Sequence, residues 1–311
     1  MAFSTIAASR SFSQSVAMNR AIKNVTVVGS GLMGAGIAQV AAQTGHNVIL
    51  VDNNKLALEK AQHRIQTSIE RVAKKRYADD AESSAKFISG ALGHLKTTTD
   101  ALESVAEADL VVEAIVEDLK IKQNLFTQLD QAAPEHTLFA SNTSCLRVSD
   151  IAKVTKRLDR FGGLHFFNPV PVMKLLEVVR IPETSQSSFE SMFAWGQAMK
   201  KVTVECKDTP GFIVNRLLIP MGLESLRMIE RGDASPRDVD LAMKLGAGFP
   251  MGPFELIDYT GIDLAKFVHT ALHAEFPDDP LFEPTQIIDT MIDEGKLGMK
   301  NGEGFYKYNK S

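Results

Sequence analysis

Asn24–Asp52 reads NVTVVGSGLMGAGIAQVAAQTGHNVILVD, and this stretch decides the fold. Val25, Val27 and Val28 form an apolar β-branched run, the pattern of a strand buried in a parallel sheet. Gly29-Ser30-Gly31-Leu32-Met33-Gly34 follows as a G-x-G-x-x-G turn, opening an Ala-rich helix that lasts to about Thr44 and is closed by Gly45. A second strand, Asn47–Val51, ends on Asp52. Each glycine has its own task. Gly29 permits the tight turn, Gly31 lets a pyrophosphate approach the backbone, and Gly34 lets helix and strand pack closely. The pyrophosphate would rest on the free N–H groups and positive end of the helix. Asp52 is placed to accept hydrogen bonds from the adenosine ribose. An acid there, followed by Asn53 and Asn54 rather than arginine, favours NAD over NADP.

Around this unit the chain alternates strand and helix. A helix is expected from about Lys55 to Tyr77, with Leu58, Ala61, Ile65, Ile69 and Val72 facing inward. Its other side carries Arg64, Ser68, Arg71, Lys74, Lys75 and Arg76. Ser68, Arg71 and Lys75 share one face, which reads either as a solvated basic surface or as a seat for a phosphorylated ligand. Residues 79–106 predict a helix, a connection at Gly90 and Gly93, and a strand over His94–Thr98. Asp109–Glu113 and Thr137–Ser141 predict further strands, and Lys120–Ala133 a helix stopped by Pro134. Phe161–Val170, Leu175–Arg180 and Lys201–Glu205 read as later strands, with a helix over Phe189–Lys200. The result is a Rossmann-like α/β domain with a doubly wound, mainly parallel sheet.

Lys207–Gly211 (KDTPG) is the expected domain boundary, because Pro and Gly break both helix and strand. Beyond it the β-branched strands largely disappear. Helices are expected over Phe212–Gly232, from Ser235-Pro236 onward, and over 262–275 and 285–294. The division is therefore 21–207 for a dinucleotide-binding domain and 208–311 for a smaller all-α domain, whose apolar stripes call for a partner surface.

The bulk properties agree. A chain of 311 residues accommodates about two domains. A net charge of -4 argues against nucleic-acid binding through the overall field. No run approaches the ~18 apolar residues of a membrane span. Cys145 and Cys206 are the only cysteines, which excludes a disulfide framework. Residues 1–20, MAFSTIAASRSFSQSVAMNR, carry Ser, Ala and two arginines, and the first acid of the chain is Asp52. Such a leader matches a mitochondrial transit peptide.

Oxidation of an alcohol by NAD needs a base for the hydroxyl proton, and histidine is the usual choice. Of seven histidines, His46, His63, His94 and His136 have no polar constellation nearby. His269 and His273 are spaced i, i+4 without a zincin acid and read as helix-surface residues, so no metal is expected. His165 differs, because Asn168, the loop Ser141–Ser144 and the acid Glu177 can converge on it. A carboxylate on one ring nitrogen would fix the tautomer and raise basicity at the other. A Ser144–His165–Glu177 hydrolase triad is disfavoured, since Ser144 lacks a G-x-S-x-G elbow.

GSGLMGAGIAQVAAQTGH, DLVVEAIVEDLKIK, ASNTSCL, GLHFFNPVPVMKLLEVV, KDTPGFIVNRLL, GAGFPMGPFELIDYTG and GEGFYKY stand in order along residues 22–308. Together they resemble the L-3-hydroxyacyl-CoA dehydrogenases of fatty-acid β-oxidation. The resemblance implies NAD-dependent oxidation of L-3-hydroxyacyl-CoA to 3-ketoacyl-CoA, with His165 as base and Glu177 orienting it. It implies that Ser144, Asn168 and Asn215 bind the substrate oxygens, and that Glu117, Lys122, Ser144, Asn168 and Lys300 join the glycine turn and Asp52 at NAD. Ser68 and Lys75 match coenzyme A contacts, the helical domain matches a homodimer surface, and the expected address is the mitochondrial matrix. Cys145 departs from the family's usual small polar residue. A sugar-acid (gulonate-type) dehydrogenase and a non-catalytic, crystallin-like relative are the alternatives; the basic helix and the complete His165/Glu177 set argue against them.

Overall fold

In a computed structural model, residues 21–308 are described; the leader expected over 1–20 lies outside them. Strands and helices alternate as β1 (Asn24–Val28), α1 (Leu32–Gln43), β2 (Asn47–Val51), α2 (Lys55–Arg76), α3 (Ala81–Gly93), β3 (Leu95–Thr98), α4 (Ala101–Ser104), β4 (Leu110–Glu113), α5 (Leu119–Ala132), β5 (Leu138–Ser141), α6 (Val148–Ala152), β6 (Phe161–Phe166), β7 (Leu175–Arg180), α7 (Gln186–Ala198) and β8 (Val202–Lys207). These strands form one sheet in the order β3-β2-β1-β4-β5-β6-β7-β8. Every neighbouring pair is parallel except β6 and β7. From β1 the sheet grows first toward β3, then resumes on the other side at β4, so β1 and β4 flank the switch point where ligands bind in such sheets.

Strand alternation separates two cores. Val25, Val27 and Val112 share one core with residues of α1, α2 and α7 on one face, while Val28, Val111 and Phe139 share another with Phe126 and Ile151 on the other. Helices follow after Lys207: α8 (Val214–Glu230), α9 (Pro236–Gly246), α10 (Pro253–Thr260), α11 (Ile262–Glu275) and α12 (Gln286–Asp293). Their own core includes Leu223, Leu226, Phe254, Ile262 and Ile288. No helix among the described residues is long and apolar enough to cross a membrane.

Several local expectations shift. Gly90 and Gly93 lie within α3 rather than in a connection; neither adopts positive φ, so the helix continues to them. The strand expected to Val170 stops at Phe166, since Pro169 has no N–H for a ladder and its carbonyl instead accepts the amides of Val172 and Met173. Helix α10 was hidden by the GFPMGP run that precedes it. It starts with Pro253 at its first position and draws the amides of Phe254 and Glu255 onto the Asp240 carboxylate.

His269 is a correction. It is 6% exposed, not on the helix surface, because α12 and the turn at Pro280–Phe282 cover α11 on that side. Burial, then the charges of Lys266 and Arg227, lower its imidazole from 6.5 to about 4. Below 6.5 the unfolded chain therefore binds a proton that the folded chain refuses, so this ring's contribution to stability is full above 6.5 and is lost as pH falls toward 4. Stability measured by urea unfolding should be about 2 kcal/mol lower at pH 5 than at pH 7 through this ring. His269→Leu should remove most of that loss; an unchanged difference between the two pH values would exclude His269 as its source.

Candidate active site

Two loops and a strand pair meet at the carboxyl edge of the sheet. The first loop is the glycine turn. Gly29 has φ +105°, and a Cβ there would lie 2.4 Å from the Ala114 carbonyl. A Cβ on Gly34 would lie 1.8 Å from the Gly29 carbonyl, whereas one on Gly31 would meet nothing within 4 Å. The turn is thus tight at Gly29, closely packed at Gly34 and open at Gly31. Gly31 caps α1 without a side-chain bond, the first turn contains no acid, and Leu32 is exposed. The open backbone and helix end fit a pyrophosphate.

Asp52 sits beside this turn. Its Oδ2 accepts the Ser30 amide at 2.8 Å and the Ser30 hydroxyl at 2.7 Å, and its Oδ1 accepts the Asn54 amide at 3.0 Å. Burial raises the carboxyl, but these bonds outweigh it and hold Asp52 below the ordinary range. Ser30 is enclosed, so its hydroxyl serves the acid. A fixed anion accepts from a ribose diol and repels a 2′-phosphate, so the residues present fit NAD.

The strand pair carries the histidine. Antiparallel register sets His165 directly opposite Glu177, and Nδ1 lies 2.6 Å from Glu177 Oε2. Glu177 Oε1 accepts the amides of Ile213 and Val214 at 3.1 and 2.9 Å. The carboxylate therefore also caps the start of α8, where the helix dipole favours negative charge. Both side chains are buried. Since a carboxylate only accepts, in the neutral ring Nδ1 carries the proton and Nε2 keeps its lone pair. Ser144 Oγ stands 3.0 Å from Nε2, in position to donate to it. Phe167 and Phe212 flank the imidazole at ring-centroid distances of 4.6 and 5.3 Å.

The other expected residues divide. Asn215, in the first turn of α8, donates to the Ser144 carbonyl at 3.4 Å. Asn168 is exposed in the loop after β6. Lys300 pairs with Asp263. Ser68 and Lys75 lie on the outer side of α2, half-buried and exposed, while Ala73 rather than Val72 fills the last buried position. Lys122 is not open to a ligand. Its ammonium lies between Glu113 and Glu117 at 2.6 and 3.0 Å. Glu117 accepts from Thr143, Ser144 and Cys145, and Lys122 and these bonds hold its carboxyl below the ordinary range against the opposing effect of burial. Sequence reasoning placed Glu113 at a strand end but gave it no role. Burial and the Glu117 charge push the Cys145 thiol up to about 12, so it is not a thiolate at neutral pH.

Removing the Asp52 charge by Asp52→Ser should raise the KM for NADH about ten- to hundred-fold, the worth of a charge-assisted hydrogen bond, and narrow the preference over NADPH. Initial rates with both cofactors check this; undiminished discrimination would take the selectivity away from Asp52.

Residues 24–209 match the family model described as 3-hydroxyacyl-CoA dehydrogenase, NAD binding domain, and residues 211–308 match the corresponding C-terminal domain. The mitochondrial hydroxyacyl-coenzyme A dehydrogenase of Rattus norvegicus is 55% identical over 92% of this chain and 91% of its own. The mitochondrial enzyme of that name from Sus scrofa is 53% identical over 99% of this chain and 100% of its own. The crystal structure of (S)-3-hydroxybutyryl-CoA dehydrogenase PaaH1 from Ralstonia eutropha superposes with a TM-score of 0.86 at 38% identity, covering 93% of this chain and all of that one. With both family models matched end to end along the described residues, the chain belongs to the 3-hydroxyacyl-CoA dehydrogenase family.

Proposed function

We propose that this protein oxidises L-3-hydroxyacyl-CoA to 3-ketoacyl-CoA with His165 as the general base. The observation that carries the mechanism is the line Glu177–His165–Ser144, buried at Glu177 and His165 and half-open at Ser144, with bonds of 2.6 and 3.0 Å. Glu177 holds the proton on Nδ1, so Nε2 is free to take the proton of the 3-hydroxyl. Ser144, with Asn168 and Asn215 closing in from the neighbouring loop and α8, holds the substrate oxygen by hydrogen bonds. NAD supplies the acceptor for the hydride that leaves C3. As His165 gains its proton, Glu177 stabilises the resulting cation, and the burial of both side chains strengthens that interaction. In the reverse direction His165 returns the proton to the ketone oxygen.

The glycine turn from Gly29 to Gly34 and Asp52 bind the dinucleotide in this reading. Glu117 and Lys300 border it, with Lys122 behind Glu117. The outer face of α2 at Ser68 and Lys75 receives the phosphates of coenzyme A, a role a sugar acid would leave unused. Residues 21–207 form the cofactor domain. Residues 208–311 form a homodimer, supported by the exposed Leu217 and Leu245 at 68% and 78% together with exposed Leu241 and Phe267, since apolar patches of this kind mark contact surfaces. The mitochondrial names of relatives matching almost the whole chain, with the acid-free leader over residues 1–20, support a mitochondrial address, which we take as the matrix after leader removal.

Loss of absorbance at 340 nm with acetoacetyl-CoA and NADH tests the reaction directly. Rapid turnover with NADH, and little with NADPH, is expected; binding of NADH without turnover would contradict it and turn attention to gulonate. His165→Gln should lower kcat by about 10²- to 10⁴-fold, the range for a general base, and Glu177→Gln should also be damaging because the ring loses its orienting charge. NADH binding should survive in both. Full turnover in His165→Gln would remove it from the role.

A further inference from the structure

Beneath the Ser144 loop lies an array of three charges. Glu113 is fully enclosed, Lys122 is 1% exposed and Glu117 is 22% exposed. Lys122 joins the two carboxylates, and Glu113 also accepts the Ile115 amide at 2.8 Å and the Ser141 hydroxyl at 2.6 Å. The array is thus fastened at the ends of two neighbouring strands, β4 and β5. Glu117 Oε1 then collects three donors from one short turn: the Thr143 hydroxyl at 2.6 Å and the amides of Ser144 and Cys145 at 2.9 and 3.1 Å. The Thr143 hydroxyl in turn accepts the Leu146 amide at 3.0 Å.

Every donor on Glu117 Oε1 therefore comes from the loop whose serine reaches His165. Enclosing the Glu113 carboxylate and the Lys122 ammonium, with Glu117 only partly open, is costly, and apolar side chains of similar volume often fill such a space with no loss of stability. What apolar side chains lack is a directed acceptor for the backbone amides of Ser144 and Cys145. The segment also begins where Ala114 packs against Gly29, so one support lies under both the glycine turn and the catalytic loop.

We propose that Glu113, Lys122 and Glu117 are positioning residues for catalysis, holding the Ser144 loop so that its hydroxyl stays within reach of His165 Nε2. This rests on the reading of Ser144 and His165 as the pair that meets the substrate oxygen. It goes beyond any cofactor contact of Glu117, because the three donors come from the protein's own chain.

The test is a double-mutant cycle. Thr143→Val removes one donor at nearly constant shape, and Glu117→Gln removes the charge while keeping an acceptor oxygen. Each is made alone and together with Ser144→Ala. Turnover at saturating acetoacetyl-CoA and NADH, the NADH dissociation constant and the melting temperature are read for all. Each single variant should lose about ten- to hundred-fold in kcat, as a misplaced group does. For Thr143→Val the NADH dissociation constant should stay within about two-fold of wild type. On the Ser144→Ala background the same changes should alter kcat by less than about two-fold, because no hydroxyl remains to be positioned. Equal losses with and without Ser144 would overturn the proposal, as would wild-type kcat in both single variants. If Ser144→Ala itself keeps wild-type kcat, the reading of Ser144 fails and the proposal with it. If Ser144→Ala is damaged while both single variants are not, only the proposal fails. Should Glu117→Gln not fold, Thr143→Val decides alone.

Discussion

The bond between His165 and Glu177 depends on one reversal of strand direction. All seven neighbouring strand pairs could have been parallel, and in a βαβ crossover the two residues would have been brought together only by distant packing. Here β6 runs into β7 antiparallel, and cross-strand neighbours on one face stand close enough for side chains to touch. That places a carboxylate against an imidazole with both ends already fixed by the backbone. The carboxylate must then be compensated, since an enclosed acid without donors costs several kcal/mol. The amides of Ile213 and Val214 supply that compensation, and so the helical part of the chain begins at the acid that faces His165. The start of α8 is at once a helix end, a counter-dipole for Glu177 and the carrier of Asn215.

Further bonds restrain the loop that faces His165. Asp208 accepts the amides of Val148 and Ser149, and Arg147 pairs with Glu275 at the end of α11. With the bonds to Glu117, the segment from Thr143 to Ser149 is thereby tied to the loop after β4, to the junction after β8 and to the helices beyond. Three separate parts of the chain thus restrain the loop that carries Ser144 to His165.

Much of this was legible in the sequence, and the division between what was and was not has a physical basis. The glycine turn, Asp52 and the strand–helix alternation are local: their meaning lies within a few residues, and the positive φ at Gly29 and the packing at Gly34 are what the spacing implies. Ser235, Pro236 and Asp238 likewise announce the start of α9 within four positions. The pairing of His165 with Glu177 was legible because they lie on two short strands, β6 and β7, that follow each other in the chain. The Glu113–Lys122–Glu117 array was not. Its members look like a strand-end acid, a loop acid and a lysine on an amphipathic helix, and only the tertiary fold makes Lys122 an enclosed cation. His269 was misread for the same reason: helical spacing says which residues share a face, not whether another helix covers that face.

The central claim is that Glu177 fixes one tautomer of His165. Nitrogen-15 NMR of histidine-labelled protein at mildly alkaline pH, with the His165 signals assigned by their loss in His165→Gln, measures the tautomer directly. The account predicts a protonated Nδ1 and an unprotonated Nε2. A proton on Nε2, or an even mixture of the two forms, would contradict it.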